Sequence, residues 1–182
     1  MNFIKNLFSS GKSKPKGLSE RGIMVFHHTS EVIKAESLLK EAGLDIQVKG
    51  PPPEIQTGCD MIIDFPLIIQ LQAIDILEKN NASPFKVISS QDHLLEPVSL
   101  YNVKDFGDFI MVRAANMKIT VDKKSLEIVN VSGGGCPDVP FLSDQMVGIN
   151  LFEAPEPRTL GQTLCGYSLH LAYEEMKRRC RG

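Results

Sequence analysis

Four cysteines in this chain of 182 residues raise the question of thiol chemistry: Cys59, Cys136, Cys165 and Cys180. They lie far apart, unlike the dense cysteines of a secreted disulfide scaffold, so we expect four reduced thiols. A cysteine reacts as the thiolate, and its pKa falls when a helix N-terminus or an imidazolium lies nearby. The neighbours of each cysteine therefore decide which of them can act as a nucleophile.

Cys136 lies in the stretch SGGGCPDVP, between a β-patterned run and a short apolar helix. Pro137 is a favoured first helical residue, which predicts that Cys136 lies at a helix N-terminus with a stabilised thiolate. The glycines before it also fit a tight turn with positive φ angles, which is the purely structural interpretation of Gly133, Gly134 and Gly135. A phosphate site is disfavoured because neither GxxxxGK[S/T] nor GxGxxG spacing is present.

Cys59 precedes the third predicted strand and should lie at the end of the sheet where His27 and His28 follow the first strand. A nearby imidazolium would favour its thiolate, and Gly58 adds backbone freedom beside the sulfur. The alternative is a small buried residue entering a strand, with the two histidines only starting a helix. Asp60 supports that alternative, because a neighbouring carboxylate raises the pKa of a thiol.

Cys165 follows the core spacing of the last predicted helix, together with Leu169, Ala172 and Met176, which predicts a buried and unreactive thiol. Cys180 lies near the end of the chain and is expected to be exposed. Neither position has a sequence neighbour that indicates a chemical role.

The sequence motifs give little support for metal binding or for hydrolysis. The chain has no CxxC, HxxxH or HExxH motif, so we expect no metal and no cofactor. A zinc site would require Cys59 and His27 or His28 to meet Cys136 across the molecule. A hydrolase is equally disfavoured, because there is no GxSxG elbow and no evident Cys, His and Asn/Asp set.

The elements that must position these thiols fall into two groups. The first group has the order βαββαβ, with strands predicted at 23–27, 45–49, 61–65 and 85–89 and helices at 30–42 and 66–77. Ser30 is expected to cap the first helix. This order predicts a ferredoxin-like unit: a four-stranded antiparallel sheet, strand order 4-1-3-2, with both helices on one face.

The second group is a β-meander followed by helices. Strands are predicted at 98–103, 109–114, 118–122 and 127–131, and helices at 141–147 and 159–179. Gly161 and Gly166 lower the helix propensity of the last helix, which indicates close approach by another element. We therefore predict an α+β chain with a flexible tail at 1–20, a ferredoxin-like domain at 21–91 and a meander-plus-helices domain at 92–182.

Composition narrows the class of protein. With 42% hydrophobic residues, the chain can bury one substantial core or two small ones. Charged residues make up 23% and the net charge is −2, which gives no support for a nucleic-acid partner. No apolar run is long enough for a membrane span, and the first residues lack a signal-peptide h-region, so we expect a cytoplasmic protein.

Residues 22–90 resemble a small bacterial and archaeal domain family described as selenium/sulfur carrier protein-like. The resemblance rests on a strand followed by HTSEVIKAESLLKEAGL, a short strand, a proline-containing loop, and Gly58-Cys59 before an apolar strand. It implies that Cys59 carries a terminal sulfur or selenium atom as a persulfide or selenosulfide. Donor and acceptor proteins for that atom are implied as partners; a homodimer is left open.

Two hypotheses of different class follow. In the first, the protein is a carrier or thiol relay rather than a classical enzyme, with Cys59 as carrier and Cys136 as second carrier or resolving thiol. In the second, it is a non-catalytic binding module with structural cysteines. The polar residues available to line a small-molecule pocket in that case are Asp105, Asp108, Arg113 and Asn116.

Overall fold

The computed structural model of the protein describes residues 20–55, 60–89 and 95–181. The predicted tail up to residue 19, the predicted site residues Gly58 and Cys59, and the predicted division of the chain near residue 91 lie outside these ranges. Those three expectations stay predictions.

The N-terminal half forms a four-stranded antiparallel sheet with two helices. Its elements are β1 (Arg21–Val25), α1 (Thr29–Glu41), β2 (Gln47–Lys49), β3 (Ile62–Pro66), α2 (Gln70–Lys79) and β4 (Lys86–Ser89). The strands are arranged in the order β2-β3-β1-β4, and every neighbouring pair is antiparallel. The predicted strand order 4-1-3-2 is therefore confirmed.

Both helices of this half cover the same face of the sheet. Alternate strand residues cluster with the buried residues of the two helices: Met24, Ile63, Phe65, Val32, Ala35, Leu39, Ala73 and Leu77. The other face carries Ile23, Val25 and Ile62, which form a separate small cluster. This segregation follows from the period of two along each strand.

The C-terminal half is a four-stranded antiparallel meander followed by three helices. Its elements are β5 (Tyr101–Asp105), β6 (Phe109–Ala114), β7 (Met117–Asp122), β8 (Ile128–Gly133), α3 (Val139–Met146), α4 (Pro157–Leu160) and α5 (Leu164–Cys180). The strands lie in sequence order, and α5 packs across β6 and β7. The chain is therefore α+β, as predicted.

The structure differs from the sequence prediction at three helix starts. Helix α1 begins after His28 rather than at a Ser30 cap, and the Glu31 carboxylate accepts the backbone N–H groups of His27 and His28, each at 3.0 Å. Helix α3 begins at Val139, so Pro137 is not helical. The predicted last helix is broken between α4 and α5, which gives α5 an N-terminus of its own.

The two halves share one continuous core. Glu36 of α1, only 2% exposed, accepts hydrogen bonds from the Tyr167 hydroxyl of α5 and from Lys40, both at 2.6 Å. Gly50 and Val98 exchange two backbone hydrogen bonds, of 2.9 and 3.1 Å. These contacts hold the start of α5 against the N-terminal half.

Candidate functional site

The turn before Cys136 depends on two glycines with left-handed backbone. Gly133 has φ +108° and Gly134 has φ +66°, which confirms the predicted positive φ within the triplet. A Cβ on Gly134 would lie 2.6 Å from the sulfur of Cys165, and a Cβ on Gly133 would lie 1.9 Å from the carbonyl oxygen of Asn116. Gly134 therefore lets the chain pass close to the start of α5, and Gly133 lets it pass close to Asn116 between β6 and β7.

The start of α5 is built by a threonine cap and two glycines in contact. The Thr163 hydroxyl oxygen accepts the backbone N–H groups of Cys165 at 3.2 Å and Gly166 at 3.5 Å. A Cβ on Gly161 would lie 2.8 Å from the Cα of Gly166. The close approach that the sequence indicated for these glycines thus occurs between the end of α4 and the first turn of α5.

Asp138 ties the cysteine turn to that first turn. Its carboxylate accepts the Thr163 hydroxyl at 2.7 Å and the backbone N–H groups of Gln162 and Thr163, each at 3.1 Å. Burial would raise the pKa of this carboxyl, but the hydrogen bonds from Thr163 and Gln162 outweigh it and the pKa is lowered. The Asp138 carboxylate therefore joins two loops that are distant in sequence by hydrogen bonds.

Cys136 is partly exposed, and its sulfur accepts hydrogen bonds from the side chain and the backbone N–H of Cys165. The pKa of the Cys136 thiol is lowered, first by the Cys165 side chain and then by the Thr163 hydroxyl, against partial burial and the charge of Asp138. Thr163 has only one hydroxyl proton for Asp138 and Cys136, so Cys165 is the more secure donor. The helix that favours the thiolate is α5, not α3 as the sequence predicted.

Cys165 has the opposite character. It is 4% exposed, and burial together with the hydrogen bond to Cys136 raises the pKa of its thiol. Of the two thiols, Cys136 is therefore the more acidic and Cys165 the less acidic. This difference favours the thiolate of Cys136, the form in which a cysteine can react, with Cys165 as its hydrogen-bond donor.

Cys136 lies on the wall of a cavity of about 660 Å³ between the two halves. The cavity is also lined by Thr29 at the start of α1, by Asp60, and by the polar pair Arg113 and Asn116. Arg113 and Asn116 are thus two of the four polar residues that the sequence analysis considered for lining a small-molecule pocket. Asp105 and Asp108 instead pair with Lys123 at 2.6 Å and Lys124 at 3.5 Å.

A second cavity, also of about 660 Å³, opens on the other side of Cys136. It is lined by Ser30 and Ile33 of α1 and by Arg158 and Tyr167 near the start of α5. The Cys136 sulfur therefore lies between two spaces, each with one arginine in its wall, and can be approached from both halves of the molecule.

The structure brings some predicted site residues together and leaves others apart. Gly134 and Cys136 lie at the start of α5, Gly133 lies against Asn116 between β6 and β7, and Gly135 is exposed. His27 is exposed and packs against Phe85 with ring centroids 4.1 Å apart and the rings tilted by 49°; neither it nor His28 is among the described residues that line the two cavities at Cys136.

The participants that sequence reasoning missed are Thr163, Asp138 and Cys165. The run GQTLCG contains the signal for the first of them, because a threonine two residues after a glycine and before an apolar run is typical of a helix start. Cys165 was correctly predicted to be buried, but its contact with Cys136 joins residues 29 positions apart. That contact depends on tertiary structure.

Two further properties apply to residues 20–55, 60–89 and 95–181. No group of three or more histidine, cysteine or acidic side chains is placed to hold a metal ion there. No helix in these ranges has the length and apolar character needed to cross a bilayer.

Comparisons with known proteins identify family models and a relative that match the chain. A family model described as "Putative Se/S carrier protein-like" matches residues 21–89, which confirms the resemblance seen in the sequence, and a model described as a domain of unknown function (DUF8182) matches residues 100–182. Uncharacterized protein MJ0011 of Methanocaldococcus jannaschii is 45% identical over 175 residues, covering 92% of this chain and 88% of the relative. The chain belongs to the same family as that archaeal protein. No solved structure matches it.

Proposed function

We propose that this protein carries sulfur or selenium as a persulfide or selenosulfide on Cys136, with Cys59 as the second carrier thiol. One observation carries the proposal: a partly exposed sulfur with a lowered pKa receives hydrogen bonds from the start of α5 at the wall of a cavity. The family match to carrier-like proteins supports the same class of function.

The loading step requires only a thiolate and a donor with a weak S–S bond. The Cys136 thiolate attacks the terminal sulfur of a donor persulfide, a new S–S bond forms, and the donor leaves as its own thiolate. No electron is gained or lost overall, so no oxidant or cofactor is needed. The backbone N–H of Cys165 and the Thr163 hydroxyl can stabilise charge on the Cys136 sulfur throughout.

Cys59 enters the proposal through its family motif and its neighbour in sequence. Asp60 lines the same cavity as Cys136. Because Cys59 is next to Asp60 in the sequence, we propose that the carried atom is exchanged between Cys59 and Cys136. The remaining expectations, namely donor and acceptor proteins as partners, a cytoplasmic location and a division into domains near residue 91, belong to the same proposal.

Sulfur loading of the reduced full-length protein tests the proposal. The protein is incubated with a cysteine desulfurase and cysteine without added reductant, and its peptides are mapped by mass spectrometry. We expect one added sulfur atom on the Cys136 or the Cys59 peptide and none on the Cys180 peptide. If no cysteine peptide gains sulfur and Cys136 is alkylated no faster than Cys180, the carrier proposal fails and the binding-module hypothesis replaces it.

A further inference from the structure

We infer that Cys165 is a resolving thiol, which expels the atom carried by Cys136 in its fully reduced form, as hydrosulfide or hydroselenide. This inference rests on the proposed function of Cys136. It gives the protein a releasing activity in addition to carriage, and it assigns the chemical class of the product.

The two cysteines are neighbours in the fold. Cys136 and Cys165 line the same cavity, and the Cys165 side chain is a hydrogen-bond partner of the Cys136 sulfur, so the two sulfurs meet without a change in the fold. Gly134 maintains this meeting, because a Cβ at that position would lie 2.6 Å from the Cys165 sulfur. Two sulfurs held in contact are the starting geometry for thiol–disulfide exchange.

The second cavity sets the direction of the exchange. Its wall of described residues contains Cys136, Ser30 and Arg158 but not Cys165, which lines the first cavity and is 4% exposed. An atom delivered to Cys136 from the second cavity therefore lies away from Cys165. Exchange requires the attacking sulfur, the attacked sulfur and the leaving atom to lie in line, and this placement favours attack on the Cys136 sulfur with departure into the cavity.

Burial also separates the roles of the two thiols. A buried sulfur is inaccessible to a donor protein, so Cys165 is not loaded in place of Cys136. Cys165 can act only after Cys136 has been loaded, and only on Cys136. The pair thus separates an accepting thiol from a releasing thiol.

The atoms and electrons of the step balance. The Cys165 sulfur bonds to the Cys136 sulfur, the bond from Cys136 to its terminal sulfur breaks, and the thiol proton of Cys165 leaves with that sulfur as hydrogen sulfide. The two cysteines are oxidised to a disulfide by two electrons, and the carried sulfur is reduced by the same two. A dithiol reductant then restores both thiols.

The test uses full-length protein loaded with a desulfurase and cysteine under anaerobic conditions, then separated from the donor. Wild type is compared with Cys165→Ser and with the matched control Cys180→Ser. Three quantities are followed: sulfur on the Cys136 peptide, free sulfide trapped with a bimane reagent, and a disulfide-linked peptide pair containing Cys136 and Cys165. We expect wild type and Cys180→Ser to release about one sulfide per loaded sulfur and to form the linked pair.

In Cys165→Ser we expect sulfur to remain on Cys136 and sulfide release to slow by about tenfold or more. Release from this variant at the wild-type rate, or release from wild type without the linked pair, overturns the inference while leaving carriage intact. If no protein gains sulfur at all, the proposed function fails instead. Should Cys165→Ser not fold, the linked pair and the matching sulfide yield in wild type decide the matter alone.

Discussion

Cys136 and Cys165 are identical residues in contact, yet the fold gives them opposite acidities. Cys136 is partly exposed and accepts hydrogen bonds, which lowers the pKa of its thiol; Cys165 is buried and donates to Cys136, which raises its own. The difference arises because the Cys136 sulfur faces the backbone N–H at the start of α5, whereas the Cys165 sulfur faces the core. At the residue scale, the surroundings of each sulfur decide its acidity.

The acidities predict an order of alkylation by iodoacetamide in the folded protein. Cys136 should reach its half-maximal rate at a pH below about 8.5, the ordinary pKa of a cysteine thiol, because its thiolate is stabilised despite the opposing charge of Asp138. Cys180, whose pKa is raised by burial, should reach it at a higher pH. Peptide mapping over a range of pH checks both midpoints.

Cys165 is the internal control for that measurement, since it should stay unmodified until the protein is denatured. Equal midpoints for Cys136 and Cys180 would contradict the assignment of Cys136 as the activated thiol.

At the scale of elements, the break between α4 and α5 creates the site. In an unbroken helix the backbone N–H of Cys165 would bond to the carbonyl one turn earlier, and no cap residue would lie beside Cys136. Thr163 caps the second segment, and Asp138 binds the cap to the cysteine turn. The helix N-terminus and the thiol are thus brought together by a loop contact between distant parts of the chain.

Thr163→Val should therefore weaken both the fold and the thiolate. Loss of a threonine cap costs about 1 kcal/mol of stability, and loss of the hydroxyl should move the alkylation midpoint of Cys136 to higher pH. Urea denaturation measures the first effect and peptide mapping the second.

Thr159→Val is the matched control, because the Thr159 hydroxyl donates at 2.8 Å to the Glu156 carbonyl at the start of α4 and has no contact with Cys136. Thr159→Val should leave the alkylation midpoint of Cys136 unchanged. If the Cys136 midpoint is the same in Thr163→Val as in Thr159→Val, Thr163 does not stabilise the Cys136 thiolate.

The sequence predicted the elements well and the site only in part. Periodicity and turn residues predicted the order of strands and helices, because those signals are local. The positive φ within the glycine triplet could be predicted for the same reason. The break at Gly161–Thr163 was missed because apolar spacing continues through it. The partnership of Cys136 with Cys165 was missed because it depends on how α5 lies over β6 and β7.

At the scale of the whole molecule, the two halves are locked together beside the thiol pair. Tyr167 of α5 donates to the buried Glu36 of α1, and the hydroxyl and carboxylate are both removed from water. Burial and the charge of Glu36 raise the pKa of Tyr167, so the phenol stays protonated and remains a donor. The cavities on the two sides of Cys136 depend on this arrangement.

Tyr167→Phe should destabilise the protein by about 1–3 kcal/mol, because it leaves the buried Glu36 carboxylate with one fewer donor. Tyr101→Phe is the comparison: within residues 20–55, 60–89 and 95–181 the Tyr101 hydroxyl forms no hydrogen bond, so this substitution should cost less. Free energies of unfolding from urea titration compare the two variants. An equal loss in both would show that Tyr167 does not lock the halves together.

The central claim, that Cys136 holds the carried atom, is tested most directly by sulfur occupancy in variants that also carry Cys165→Ser, so that the carried atom is retained. Intact-mass spectrometry after desulfurase loading should show a large fall in bound sulfur when Cys136→Ser is added to Cys165→Ser, relative to the addition of Cys180→Ser, because only Cys136 combines exposure with a lowered pKa among the cysteines that the structure describes. Equal occupancy of the two double variants would contradict the account and point to Cys59 as the carrier.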